Sequence, residues 1–451
     1  MKSLKIFSLP YHENSAPVFH AFSDMPCPVW LDSAKPGSPS GRFDIIAADP
    51  VNQVALDADA AASFSPVDDL LCELQPLDAT PQLPFSGGII GFAGYETGAP
   101  LNHLSPDTRA TPLPTTYFGL YLWAVIVDHQ LRSSHLVIHP AATPVQVSDI
   151  QARVATIDWQ TDPRMHLGGF QLRSQFAPVF DRGAYGHAFR KLQQYIHAGD
   201  IYQANLTQEF RAAFSGNPFS AYLALREATP APFSAYIDLP TGQILSVSPE
   251  RFVLTDGEQV ESRPIKGTAP RGASAIEDAR LAADLQASIK DRAENLMIVD
   301  LLRNDIGKIC RKGSVQVPQL FGVESYANVH HLVSIVTGRM GEDQYPTDLL
   351  DACFPGGSIT GAPKRRAMEI IRELESGPRG VYCGSIGYVS VCGRSDTSIA
   401  IRTLTCADGQ VHCWGGGGIV ADSDEESEYQ ESLIKVRKLM TTLESFLSTS
   451  R

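Results

Sequence analysis

The dipeptide Asp256-Gly257 lies between two strand-like runs, 252–255 and 259–263, and constrains the chain more tightly than any other short feature. A type I′ hairpin turn needs φ > 0 at both central residues and favours such a pair. With these two residues as the loop, Thr255 pairs with Glu258, and counting outward sets Glu250 opposite Arg263. Pro264 has no N–H to give a ladder, so Lys266 lies just past the paired region. The segment 261–272 (Glu-Ser-Arg-Pro-Ile-Lys-Gly-Thr-Ala-Pro-Arg-Gly) therefore brings an amine, Lys266, to the end of the hairpin that carries a carboxylate, Glu250. An amine beside a carboxylate serves nucleophilic catalysis with a general acid. It serves an ordinary salt bridge equally well.

Bulk properties narrow the classes. A chain of 451 residues has room for a large core, in two domains or one elaborate one. The formal net charge of -13 argues against a protein that coats nucleic acid, which needs a basic face. No run of about 18 apolar residues is present, so no membrane span is expected. The eight cysteines form no C-x-x-C pair and read as reduced residues of a cytoplasmic protein.

Along the chain, 29–33, 87–92 and 120–127 read as strands, the last a near-continuous apolar run suited to a sheet interior. Residues 141–169 are looser and more polar, and divide the chain into regions 1–165 and 166–451. Asp181 is placed to cap a helix in which Tyr185, Phe189, Leu192 and Ile196 recur, with Gly199 to end it. The alternating run 201–208 then sets Gln203, Asn205 and Thr207 on one face. Buried, that face needs polar partners and suggests a site; in solvent it needs none.

Ser274-x-x-Glu277 is a capping box opening a helical stretch to about Arg303, and Ser423-x-x-Glu426 is a second one. Asp291 and Glu294 share a face of the first helix, Glu428 and Glu431 a face of the second. Each pair adjoins its helix's apolar face. Two such pairs facing one another repel unless a divalent cation lies between them, and carboxylate oxygens with room for water suit Mg²⁺. Two solvated helix faces are the plainer alternative. Pro363 is well placed to start a helix over 364–374, whose free N–H groups favour an anion. Arg402 lies on a strand-like run opposite Ile399 and Ile401. The run Gly415–Gly418 lets backbone N–H groups approach a ligand closely.

In this order, Gly-Asp200-Ile-Tyr-Gln203-Ala-Asn, Ser-Pro-Glu250-Arg, Arg-Pro-Ile-Lys266-Gly-Thr, Asp291-Arg-Ala-Glu294-Asn-Leu-Met-Ile-Val-Asp300, His331-Leu-Val-Ser, Ser358-Ile-Thr-Gly-Ala-Pro-Lys364, Ile401-Arg402 and Gly418-Ile-Val-Ala-Asp-Ser followed by Glu428 and Glu431 resemble the chorismate-utilising enzymes. The resemblance is strong over about residues 170–440 and looser before them, mainly around Leu31-Asp32-Ser33. It implies an α+β fold of two packed antiparallel sheets with helices outside, the N-terminal residues contributing to the same sandwich. Members that add water at ring C2 carry a lysine where this chain has Gln203, and glutamine is no such base. Members that make anthranilate and pyruvate have alanine in place of Lys266. The Pro-Ile-Lys-Gly-Thr form resembles the branch that aminates chorismate at C4, on the route to 4-aminobenzoate and folate.

The roles that follow are implied by the resemblance. Mg²⁺ is held by Glu294 and Glu431, with Asp291 and Glu428 nearby. Arg402, Tyr388 and the backbone of Gly416, Gly417 and Gly418 hold the enolpyruvyl carboxylate, and Thr268, His331, Gln203, Thr360 and Lys435 line the substrate. Lys266 attacks C2 while Glu250 protonates the departing C4 hydroxyl; ammonia then adds at C4 and expels the lysine. No Gly-x-Cys-x-Gly nucleophile and no further domain is present, so the ammonia comes from a separate glutamine amidotransferase subunit in a heterodimer. The family's N-terminal part can also hold tryptophan, which points to a pocket at Asp32, Ser33, Pro218 and Phe219. The alternatives are the anthranilate-forming reaction and a non-catalytic relative that binds tryptophan or a partner. The intact set Glu250, Lys266, Glu294 and Glu431 speaks against the last.

Overall fold

The computed structural model describes residues 3–34, 41–57, 63–78, 80, 83–165, 168–326 and 329–447. Two antiparallel sheets, one of thirteen strands and one of ten, are accompanied by eleven α-helices among these residues. The larger sheet runs from strand Lys5–Leu9 through Val29–Asp32, Phe233–Leu239 and Thr403–Ala407 to Gln410–Ile419 and Gln203–Ser215. The smaller runs from Ile265–Pro270 through Val329–Arg339, Arg251–Asp256 and Ser385–Ser390 to Gly88–Ala93 and Asn52–Leu56. Regions 1–165 and 166–451 each give strands to both sheets.

The apolar run 120–127 is where the chain changes sheets. Thr116–Tyr121 pairs in the smaller sheet and Trp123–Asp128 in the larger, with Leu122 between them. Both strands are buried throughout, which is why the run reads as uninterrupted. Asp181 caps helix Arg182–His197 by accepting from Ala184 N at 2.7 Å, and Tyr185, Phe189, Leu192 and Ile196 are its buried stripe. The polar stretch 141–169 differs from its reading as a loose boundary. Thr143 and Gln146 form a reciprocal capping box that starts helix Pro144–Ala155. Nor is 275–303 one helix. It breaks at Ser288, which ends Ala275–Ala287 and caps Ile289–Gly307 through Asp291 N. No helix is long and apolar enough to cross a membrane among the described residues.

One cluster of buried charge lies on the N-terminal half of the larger sheet. Asp44 lies fully buried, 3.0 Å from His129 Nε2, and also accepts from Ser15 Oγ and from Ser33 N and Oγ. Neighbouring Asp32 is held by Arg226 at 2.6 Å and by the Tyr222 hydroxyl at 2.8 Å. Burial works against a charged His129, but its hydrogen bond and charge attraction to Asp44 outweigh this and raise it above the ordinary imidazole value. A raised folded value means the stabilisation is complete below the unfolded value, about 6.5, and is lost as pH rises through the folded value. His129→Gln should therefore cost about 3–5 kcal/mol at pH 6. The gap to wild type should narrow as pH climbs past the His129 transition in denaturant titrations. A gap unchanged from pH 5.5 to 9 would contradict a protonated His129.

Candidate active site

The hairpin forms, one residue out of the expected register. Asp256 pairs with Gln259 and Thr255 with Val260, so Gly257 and Glu258 are the loop. Gly257 has φ +62° and Glu258 is not left-handed, so the turn has its positive φ at the first central position, as a type II′ turn requires, and not at both. Counting outward in this register sets Glu250 against Ile265 instead of Arg263, one residue from Lys266. Strand Gln259–Ser262 ends before Pro264, and Ile265–Pro270 resumes against Val329–Arg339. Between Ile265 and Thr268 the register slips. Gly267, at φ +81°, occupies that irregularity, and a Cβ there would sit 2.9 Å from the Asp291 carboxyl. Such a slip re-aims a side chain out of the ladder. Lys266 Nζ reaches the carbonyl of Ser358 at 3.2 Å, on the loop before helix Lys364–Leu374.

Burial lowers the Lys266 amine below the usual lysine range, against the pull of Glu294 and Glu250 and with help from Lys435. Glu250, 6% exposed, is raised by burial, which Lys266 only partly offsets. Each group of this pair is therefore pushed toward its neutral form: an amine able to attack and a carboxyl able to give a proton.

The two acidic helix faces do converge. Ser423 is not the second N-cap; Asp424 caps helix Glu425–Glu444 through Ser427 N, and Ser423 Oγ instead donates to Glu428 at 2.7 Å. The helix crosses strand Gln410–Ile419, and a Cβ on Gly417 would lie 3.0 Å from Glu428 Oε2 and 3.5 Å from Glu431 Oε1. Glu294 is raised by burial and by Asp291 and Glu431, with Lys266 and Lys290 opposing. Glu428 is likewise raised, by burial first. Burial also opposes charge on Glu431, yet Lys435, 2.7 Å away, lowers it. Lys290 stands 3.9 Å from Glu294. As the side chains stand, no three acids, histidines or cysteines among the described residues close on one point. The donor set fits a hard divalent cation all the same: carboxylates only, two of them converging over a glycine, with lysines now supplying the countercharge.

The glycine run lies in a ladder, with Gly416 opposite Thr207 and Gly418 opposite Asn205. Its residues lack side chains because neighbours pass too close: a Cβ on Gly416 would lie 2.5 Å from Leu206 O, and one on Gly418 2.4 Å from Gln203 Nε2. Lys435 Nζ bonds Gly416 O at 3.0 Å.

Arg402 is not in a strand. Ser395–Ile399 and Thr403–Ala407 belong to different sheets, and Arg402 turns the chain between them at φ +50°. Burial lowers its guanidinium, and no carboxylate among the described residues stands against it. A buried guanidinium left in this way is prepared for an anion. His331 pairs across the ladder with Thr268, whose hydroxyl lies 2.9 Å from its Nδ1. Burial and Arg402 push His331 down to about 4, so it is neutral at physiological pH. Gln203 is 1% exposed with both amide atoms unpartnered, and Thr360 is buried, donating to Gly356 O at 2.8 Å. Tyr388 is placed elsewhere. Its ring meets Phe85 and lines a cavity with Asp32 and Arg251. The tyrosine against the glycine strand is Tyr382, stacked on Trp414 with centroids 5.9 Å apart. Sequence reasoning misses it because neither tyrosine lies in a periodic pattern that distinguishes the two.

That cavity, about 360 Å³, receives Asp32 but not the rest of the expected N-terminal pocket. Ser33 is turned to Asp44. Pro218 and Phe219 start helix Pro218–Ala228, with the Phe219 ring packed on Phe19 and Tyr236. The residues present instead are Pro232, Phe233 and Ser234.

Comparison with known proteins gives the family and the fold. Residues 27–441 match the family of chorismate binding enzymes. The chain is 45% identical to aminodeoxychorismate synthase component 1 of Escherichia coli (strain K12) over 463 residues, covering 98% of this chain and 100% of that one. It is 40% identical to anthranilate synthase component 1 of Thermus thermophilus over 379 residues, 82% of this chain and 80% of that one. Among solved structures, anthranilate synthase component I from Streptococcus pneumoniae TIGR4 superposes with a TM-score of 0.77 at 33% identity, covering 89% of this chain and 93% of that one. The menaquinone-specific isochorismate synthase of Escherichia coli shares the fold at 16% identity, with a TM-score of 0.76 over 98% of this chain and 95% of that one. The chain belongs to the chorismate binding enzyme family.

Proposed function

We propose that this chain aminates chorismate at C4, giving 4-amino-4-deoxychorismate, as component 1 of an aminodeoxychorismate synthase. The observation that carries the reading is the pair Lys266 and Glu250, each within the other's charge field, Glu250 just before strand Arg251–Asp256 and Lys266 in strand Ile265–Pro270: burial turns the first toward free amine and the second toward carboxylic acid. Lys266 Nζ forms a bond to C2, both ring double bonds shift one position, and the C4–O bond breaks as Glu250 passes its proton to the leaving oxygen, which departs as water. Ammonia bonds C4, both double bonds shift back, the C2–N bond breaks to return the lysine, and the Glu250 carboxylate recovers a proton from the new C4 ammonium. Arg402 takes the enolpyruvyl carboxylate, with Thr268 and neutral His331 beside it. Gln203 has no basic group with which to activate water at C2.

Glu294 and Glu431, with Asp291 and Glu428, would hold Mg²⁺. Bound there, the ion supplies positive charge for the ring carboxylate. Ammonia comes from a glutamine amidotransferase partner. The buried thiols are poor nucleophiles for glutamine; burial pushes Cys383 and Cys413 up to about 12. Tryptophan, where it binds, takes the cavity at Asp32, on Pro232 and Phe233 instead of Pro218 and Phe219.

Metal, ammonia source and nucleophile can each be tested. Glu294→Gln and Glu431→Gln should each lower turnover at least 100-fold with an unchanged circular dichroism spectrum, because helix caps and apolar faces are untouched; full turnover in excess EDTA would remove Mg²⁺ from the account. The purified chain should convert chorismate with ammonium salts and not with glutamine, and glutamine-dependent product from pure chain would reveal an unrecognised amidase site.

For the nucleophile, chorismate without ammonia should leave an adduct visible in the intact-protein mass, absent in Lys266→Ala. Lys266→Arg keeps the charge, but arginine is essentially never neutral, so product should fall at least 1000-fold. Near-normal synthesis by Lys266→Arg would falsify the nucleophile role and reduce Lys266 to an ion-pair partner of Glu250.

A further inference from the structure

A second cavity, about 270 Å³, opens between helix Lys364–Leu374 and the turn Tyr95–Thr97. Its charges pair off with one exception. Arg109 grips Asp107 at 2.6 Å, Arg379 grips Glu375 at 2.7 Å, and Glu369 meets Arg366 at 3.0 Å. Glu96, 5% exposed, accepts only two backbone donors, Arg379 N at 2.7 Å and Gly380 N at 2.9 Å. Among the described residues it has no ion-pair partner. Burial raises it to about 7, outweighing the backbone hydrogen bond and the charge of Arg379, which oppose the rise. Tyr95, 6% exposed, lines the same cavity, and its hydroxyl, beside Thr360, closes no hydrogen bond.

We propose that this cavity binds a ligand carrying a primary ammonium group, seated against Glu96 with the Tyr95 hydroxyl as a second acceptor. A divalent metal would ask for about six oxygen ligands, whereas an ammonium group has three or four N–H donors to place. Ala99, Leu104, Met368 and Ile371 form an apolar part of the wall that suits a short alkyl portion, while Arg372, 3.8 Å from Asp107, and Ser105 also line it. The ligand would be felt at the reactive lysine. The inner wall is the Arg379–Glu375 pair, whose other bonds run to Ile359 O at 2.9 Å, Asn205 O at 2.6 Å and Thr207 N at 2.8 Å. Ile359 follows Ser358, whose carbonyl holds Lys266. The site does not depend on the reaction proposed above, and binding can be read without chorismate.

Two sources share the chemistry: the ammonium ion, and the α-ammonium of a small amino acid. The full chain is titrated at pH 7.5 and fixed ionic strength with ammonium, methylammonium or tetramethylammonium chloride, and with L-alanine or N-acetyl-L-alanine, following heat and thermal midpoint. Methylammonium should bind saturably and tetramethylammonium, which has no N–H, should not. Tighter binding of L-alanine than of its acetylated form and of methylammonium assigns the site to an amino acid; preference for the small cations assigns it to ammonium. Glu96→Gln should weaken binding at least tenfold. Because that substitution also removes one backbone contact, Ala99→Leu provides a separate test, filling the cavity and abolishing binding while leaving Glu96 bonded. Equal response to methylammonium and tetramethylammonium, or binding undiminished in both variants, overturns the proposal.

Discussion

A lysine buried among carboxylates is pulled two ways: desolvation favours the neutral amine, and each neighbouring carboxylate favours the ammonium. At Lys266 desolvation prevails over Glu294 and Glu250. That balance depends on backbone geometry before it depends on charge. In a regular ladder, Lys266 would point to a sheet face fixed by alternation. The slip between Ile265 and Thr268, made possible by Gly267 in a conformation that costs other residues energy, re-aims the amine toward Ser358. The same glycine lets Asp291 approach, so one residue without a side chain joins the nucleophile strand to the acidic helix.

The acid faces meet for a related reason. Helix Glu425–Glu444 lies close enough to strand Gln410–Ile419 that a Cβ on Gly415 would stand 2.4 Å from the Ser432 carbonyl. Close packing of helix on strand delivers Glu428 and Glu431 over Gly417. Behind them, strand Gln203–Ser215 is tied to the loop before helix Lys364–Leu374 by the buried Arg379–Glu375 pair. Removing one partner of such a pair costs about 3–5 kcal/mol, so the pair fixes where Thr207, Asn205 and Ile359 lie, and with them the floor of the site.

What can be read in the sequence is what short-range periodicity and capping encode. Helix Arg182–His197, its Asp181 cap and its apolar stripe follow from local rules, and so do the existence of the 252–262 hairpin and the pairing of acids on two helices. The one-residue register error arises because Asp-Gly satisfies more than one two-residue turn, and local sequence does not say which residue takes the first left-handed position. The packing role of the glycine run is not legible because a glycine admitting a ligand and a glycine admitting a neighbouring backbone look alike in sequence. The positions of Tyr388 and of Pro218-Phe219 are missed because local sequence does not say which distant segments they meet. That is a long-range fact: Tyr388 is carried by the pairing of Ser385–Ser390 with Gly88–Ala93, and Phe233 is brought beside Asp32 by the pairing of Phe233–Leu239 with Val29–Asp32.

The site's charges are unsatisfied in a patterned way. Arg402 is buried without a carboxylate, His331 is held neutral, and Glu294 and Glu428 are raised by burial and by the nearby Glu431 carboxylate. A pocket with surplus cation at one end and surplus carboxylate at the other discriminates by demanding both complements together. On the proposed reading, a dicarboxylate substrate can give one carboxylate to Arg402, but its second faces Glu294 and Glu431 and is repelled unless a cation intervenes. Glu431 would exchange the countercharge that Lys435 now gives it for that of a cation held there. Each ligand would then relieve the electrostatic cost of the other, which would make their binding positively coupled. The coupling also protects Lys266. With the carboxylates neutralised, the attraction that would keep its amine protonated weakens when the substrate is in place.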